Sequence, residues 1–247
     1  MSIRETPIVN SEYYHIFNRG NGKNKIFLDN EDYLRFIKLL YLCNSNKSIN
    51  FRTDIVEKKI SAWDFERGDT LVSIGAWVLM PNHFHIYLTG SRSKASGRIS
   101  GRKNNSIIIF LQKLSTAYAK YFNAKYKRTG SLFEGKFKSV NIKGDIQTKY
   151  LFSYIHLNPI KLIQSNWKEN GIKNIQKTFD FLDSYKWSSF HFFKGKKLLE
   201  NVIINIKDFP DYFKTVKSFN EEILEWFSDG LPEARLLEDF WKTKKGC

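Results

Sequence analysis

The chain has 247 residues, room for one main domain with an appendage, and its 42% hydrophobic and 26% charged residues with only 14 Gly and 5 Pro exclude collagen-like and disordered chains. The longest apolar runs, such as Ile107 to Leu111, fall far short of the ~20 residues a membrane helix needs. Forty basic against 25 acidic residues give a net charge of +15, which points to a polyanionic partner. The start, Met1 to Asn10, has no apolar signal stretch, so a cytoplasmic location is expected. Cys43 and Cys247 are too few and too far apart for a disulfide framework or a cysteine zinc site.

Tyr13 to Asn18 is short, aromatic and β-favouring, and runs into the turn cluster Arg19-Gly20-Asn21-Gly22, so it predicts a first strand. Asp29 is placed to cap a helix whose apolar positions Tyr33, Phe36, Ile37, Leu40 and Tyr41 recur at helical spacing. Asn46 to Thr70 is polar and expected to be partly irregular. Leu71 to Met80 and His83 to Thr89, broken by Pro81-Asn82, read as an antiparallel hairpin. Ser91 to Asn105 carries Ser, Gly, Arg and Lys with almost nothing to bury and reads as a loop. Ile107, Phe110, Leu111, Leu114, Tyr118 and Tyr121 mark one face of a second helix, and Phe137 to Ile142 a fourth strand. Ile146 to Asn158 predicts a third helix that Pro159 breaks or kinks at Asn158. Two further helices are expected near Asn220 to Phe227 and Glu233 to Trp241. The order β-α-β-β-α-β predicts an α+β, ferredoxin-like fold: a four-stranded antiparallel sheet with helices on one face, plus the added third helix.

Basic residues concentrate between Arg92 and Lys149, where 14 Lys and Arg face only Glu134 and Asp145. They are interleaved with Tyr118, Tyr121, Phe122, Tyr126, Phe133 and Phe137, a mixture that holds phosphates while rings stack on unpaired bases. Arg92, Lys94, Arg98, Arg102 and Lys103 of the loop, with Arg19, Lys113, Lys120, Arg128, Lys136 and Lys138, are the candidate nucleic-acid-binding cations. His83 and His85 flank Phe84 on a strand, so both imidazoles point to one face. Such a pair is often no more than half-buried strand surface, but beside a basic aromatic region it suits a divalent ion. Tyr154 and Asn158 are one helical turn apart on the third helix; Tyr150 lies on the same stripe, and the pattern alone does not choose between the two phenols.

Met80-Pro81-Asn82-His83-Phe84-His85 resembles the His-hydrophobe-His motif of single-tyrosine transposases, and Tyr154-Ile-His-Leu-Asn158-Pro159 resembles their nucleophile helix. Asn18-Arg19-Gly20, Thr129-Gly130-Ser131-Leu132-Phe133-Glu134-Gly135 and Tyr185-Lys186-Trp187-Ser188-Ser189 are similar to segments of the REP-associated tyrosine transposases. The likeness spans roughly Tyr13 to Phe190; Phe133 stands where a tryptophan is common, and Asn46 to Thr70 is long. It implies a catalytic domain over residues 1–193 and a helical extension over 194–247. It further implies Tyr154 as the nucleophile on hairpin-forming single-stranded DNA, giving a 5′-phosphotyrosine and a free 3′-hydroxyl. His83, His85 and Asn158, the last in place of a common glutamine, would hold Mg²⁺ or Mn²⁺, and the REP-associated relatives point to a monomer. The competing reading from the residues is a non-catalytic module that stacks single-stranded RNA or DNA on its sheet.

Overall fold

The computed structural model of the chain describes residues 7–91, 105–211 and 215–228. Four strands, β1 (Tyr13–Arg19), β2 (Val72–Met80), β3 (His83–Gly90) and β4 (Lys138–Ile142), form one antiparallel sheet in the order β2-β3-β1-β4. Helix α1 (Asn30–Leu42) connects β1 to β2, and α2 (Ser106–Lys125) connects β3 to β4, which is the expected split arrangement. The chain reaches α1 through a reciprocal cap: the Asp29 side chain accepts from Asp32 N (3.0 Å) while Asp32 Oδ2 accepts from the Leu28 and Asp29 amides. Asp32 is fully buried, and Lys125, Tyr121 and Tyr126 from α2 and its C-terminal end also donate to it, so this carboxylate ties the two helices together.

The two faces of the sheet bury different sets. Tyr14, Ile16, Phe84, Ile86 and Leu88 pack with α1 and α2 in the larger core. Alternate positions, including Tyr87 and Ile142, face a second core built by α3 (Asp145–Leu157). In β2 the alternation changes parity at a bulge between Ile74 and Ala76, so that Ile74, Trp77 and Leu79 enter the first core while Ala76, Val78 and Met80 enter the second. All nine residues of β2 are consequently buried. The added helix α3 thus lies on the face opposite α1 and α2, and the sheet is covered on both sides rather than left open on one.

Behind α3 stand four elements: α4 (Trp167–Asn170), α5 (Ile175–Ser184), α6 (Phe190–Phe193) and α7 (Val216–Ser228). The second core takes Trp167, Leu182, Phe190 and Phe193 from the first three, and Phe219, Ile223, Trp226 and Phe227 from α7. The Tyr185-to-Ser189 segment covers the outer edge of β2: Leu79 N donates to Trp187 O (2.8 Å), Ser189 N to Trp77 O (2.9 Å) and Tyr185 Oη to Leu79 O (2.6 Å). The α-helix breaks off where expected, at Asn158, but without a sharp change of direction in the backbone angles. Asn158 keeps helical angles (φ −53°, ψ −38°) and the chain tightens into a 3₁₀ turn, Asn158–Leu162, in whose first turn Pro159 has no amide to lose. The Asn46-to-Thr70 segment holds one π-helical turn, Arg52–Glu57, and a 3₁₀ turn, Ala62–Asp64. The expected helix at Glu233 to Trp241 and the Arg92-to-Lys103 loop lie outside the described residues. No helix among the described residues is long and apolar enough to cross a membrane.

His156, two residues past Tyr154, locks α3 to β2. Its Nδ1 donates to Phe152 O (2.9 Å), its Nε2 pairs with Ser189 Oγ (2.8 Å), and Ser189 Oγ accepts from Trp77 N (3.0 Å). Complete burial pushes its pKa down from 6.5 to about 3. An imidazole that resists protonation when folded contributes stability fully above the unfolded value of 6.5, and that contribution is lost as pH falls from there towards 3. His191 is shifted the same way, again chiefly by desolvation. Urea unfolding between pH 7 and pH 5 is therefore expected to show stability falling as pH drops below 6.5, with His156 contributing a slope that approaches about 1.4 kcal/mol per pH unit and His191 adding to it. In His156→Asn that slope should shrink; an unchanged slope would assign the pH dependence elsewhere.

Candidate active site

The hairpin turn, the end of β1 and the Thr129-to-Gly135 loop meet at one end of the sheet. Gly20 N donates to Asn82 O (2.9 Å), Asn21 N to Leu132 O (2.9 Å), Glu134 N to Arg19 O (3.0 Å) and Asn18 Nδ2 to Gly135 O (3.1 Å). Gly20 admits no side chain here, because a Cβ would stand 2.1 Å from Asn24 O. Lys23 is held in the left-handed region (φ 61°), and its carbonyl accepts from Asn82 Nδ2 (3.2 Å). The Arg19 guanidinium makes a two-bond pair with Glu134 that holds the carboxyl below its usual range and the guanidinium above its own.

These segments and α3 enclose a cavity of about 350 Å³. His83, His85 and Tyr154 line it together with Arg19, Lys23, Lys136, Lys138 and Lys161, against the single carboxylate of Glu134. His83 and His85 share a face as expected, ring centroids 5.0 Å apart, and the Tyr154 ring stands edge-on to His85 at 5.3 Å. Tyr154 is half-buried; Tyr150 is 5% exposed, stacks behind it at 6.1 Å and packs on Trp226, and is not part of the cavity wall. Among the DNA-binding candidates, Arg19, Lys136 and Lys138 come together here. Lys113 and Lys120 lie on α2 in the other layer, and Arg128 beyond the end of α2 places its guanidinium 5.5 Å from the Phe122 ring. Arg92, Lys94, Arg98, Arg102 and Lys103 lie outside the described residues.

Three positions were not singled out by the sequence reading. His15 on β1 is buried, and its Nε2 meets His85 Nδ1 at 2.8 Å. Lys168 on α4 places its Nζ 4.7 Å from the Tyr154 ring centroid and 3.5 Å from Tyr150 Oη, and Lys161 places its own 5.7 Å from the Tyr154 ring. Lys161 continues the 150-154-158 stripe by three residues, and His15 alternates with Tyr13 and Phe17 on the sheet face that carries His85, so both had a periodic signal. Lys168 had none.

The residues fit a divalent cation. His83 Nδ1 donates to Asn82 Oδ1 (2.6 Å), which makes Nε2 its lone-pair nitrogen, and His85 is oriented through Nδ1 by His15, the outer-shell pattern of metal-binding imidazoles. No three His, Cys, Asp or Glu side chains converge to hold a metal among the described residues. Asn158 is 1% exposed, and neither heteroatom of its amide has a hydrogen-bond partner, an arrangement that costs free energy unless something else is bound. It is not among the residues of the cavity wall. If His15 orients His85 towards a metal, His15→Phe should weaken Mn²⁺ binding about 10- to 100-fold in a calorimetric titration, with His15→Gln between the two; equal affinities would reduce His15 to packing.

No family model and no curated protein matches the chain. Among solved structures it is similar to that of a REP-associated tyrosine transposase bound to a REP hairpin, at 15% identity, covering 81% of this chain and 90% of that one, with a TM-score of 0.45.

Proposed function

We propose that the chain is a metal-dependent endonuclease and strand transferase that cleaves and rejoins hairpin-forming single-stranded DNA through Tyr154. The observation that carries this reading is the placement of one half-buried tyrosine and a pair of oriented histidines in the same cation-lined cavity. The sequence motifs supply the reaction class. The Tyr154 oxygen attacks the scissile phosphorus, a bond forms between them, and the bond to the 3′ oxygen breaks; the phenol loses its proton and the departing 3′ oxygen gains one. The new phosphotyrosine ester retains the energy of the phosphodiester, so the 3′-hydroxyl of another strand reverses the step without ATP.

Each residue has a part in that scheme. Lys168 and Lys161 stand where their ammonium groups oppose negative charge on the phenolate of Tyr154. Lys136 and Lys138 present charge to the phosphates that flank the scissile one, while Arg19 is paired with Glu134 in the same wall. His83, His85 and Asn158 would hold Mg²⁺ or Mn²⁺, which when bound polarises a phosphate and offsets the charge developing on it. The open stacking platform of an RNA-recognition sheet has no counterpart, since both faces of this sheet are covered by helices.

The test is incubation of the full chain with labelled hairpin oligonucleotides that carry single-stranded flanks, in Mn²⁺ or Mg²⁺, followed by denaturing electrophoresis. A denaturant-resistant protein-DNA adduct and a shortened strand are expected. Hairpin binding with no adduct in either metal would favour the non-catalytic module.

A further inference from the structure

On the other layer of the sheet, between α1, α2 and the segment that follows α1, lies an open cavity of about 800 Å³. Four cations, Arg35, Arg52, Lys113 and Lys120, line it without any carboxylate. Two of them are engaged. Lys113 Nζ donates to the carbonyls of Ser45 and Lys47 (2.7 Å each), and Arg52 pairs with Glu57 (3.0 Å).

Arg35 is held but not engaged. Its guanidinium carbon lies 3.5 Å from the Phe51 ring centroid and 4.5 Å from that of Tyr121, so two rings fix the group. It makes no hydrogen bond and no ion pair among the described residues, although a guanidinium carries five N–H donors. Glu31, whose charge it feels, has its carboxylate on Lys125 (3.1 Å), and the Tyr121 hydroxyl donates to Asp32 (3.0 Å). Burial lowers its pKa from the ordinary guanidinium value, the sign of a desolvated cation, yet it stays charged at neutral pH. A half-buried charge with unspent donors is costly on its own and favourable once an anion is bound. Lys120, two turns along α2 from Lys113, is exposed and likewise has neither hydrogen bond nor ion pair among the described residues.

The chemistry left on offer is a planar donor fork beside an ammonium group. Phosphate oxygens match both, whereas the ring faces turned to Arg35 are taken and do not stack on bases. The net charge of +15 makes a polyphosphate backbone the fitting source of those oxygens. We propose that Arg35 and Lys120 bind neighbouring backbone phosphates of DNA, forming a second DNA contact surface on the sheet layer opposite Tyr154. The proposal rests on the reading that the substrate is DNA and adds where, besides the tyrosine cavity, the protein grips it.

The test is fluorescence anisotropy of a labelled DNA hairpin with the full-length wild type, Arg35→Gln, Lys120→Gln and Tyr154→Phe between about 50 and 200 mM salt. Arg35→Gln and Lys120→Gln should each weaken binding about five- to tenfold, equally for unrelated hairpin sequences, and each should make the log-log salt slope shallower by about 1. Tyr154→Phe should bind as wild type does. Lys120 is exposed and makes no hydrogen bond or ion pair among the described residues, so its variant separates lost contact from lost packing. Binding by either variant within about twofold of wild type and with the wild-type slope would overturn the proposal. Arg35-dependent binding of a polyglutamate peptide in preference to the hairpin would overturn it as well. Failure of the Tyr154 adduct would strike the catalytic reading and leave this contact standing, while unchanged binding by Arg35→Gln would do the reverse.

Discussion

Tyr154→Phe is expected to fold and bind hairpin DNA as wild type does, while forming no covalent adduct and losing cleavage by on the order of 10³-fold or more, as removal of a nucleophile commonly does. The substitution deletes one oxygen and leaves a ring that still stacks on Tyr150 and meets His85 edge-on. Tyr150→Phe is the matched control. Tyr150 is buried against Trp226 behind Tyr154, outside the cavity, so its loss should leave both adduct and cut product. An adduct in Tyr154→Phe would mean another side chain attacks.

His83→Ala and His85→Ala form the second large effect. Each removes an imidazole whose orientation is set by a neighbour, Asn82 for His83 and His15 for His85, and each should lower cleavage in Mn²⁺ or Mg²⁺ by about 10³-fold, the several kcal/mol a metal ion contributes to phosphoryl chemistry. Hairpin binding should change little, because Lys136 and Lys138 supply positive charge independently of the histidines. Undiminished cleavage by both variants, or by wild type in excess chelator, would remove the metal from the account.

Much of this architecture was legible before any coordinates. The four strands fall within one or two residues of where alternation and turn residues put them, since their burial pattern and the turn chemistry agree locally. The sheet was expected to carry helices on one face, whereas α3 and its companions cover the second side and bury β2 throughout, a packing that the hairpin pattern of Leu71 to Thr89 did not by itself reveal. Helices α4 and α6 were not legible, because they have four residues each and take their stability from the second core rather than from their own periodicity, whereas α5, ten residues capped by Asn174, carried a helical signal that was not read. Continued helical geometry at Asn158 likewise depends on a tertiary setting that overrides the local preference before proline. At the site, His83, His85 and Tyr154 could be paired by motif. The contacts of His15 and Lys168 required knowing which strands pair and which distant helix returns, information that exists only in the folded chain.

The most direct measurement is mass spectrometry of the tryptic digest from the wild-type adduct formed on a hairpin oligonucleotide in Mn²⁺. A single modified peptide is expected, in which Tyr154 carries a nucleotide through its 5′ phosphate. A nucleotide on Tyr150 or any other residue, or one joined through a 3′ phosphate, would contradict it.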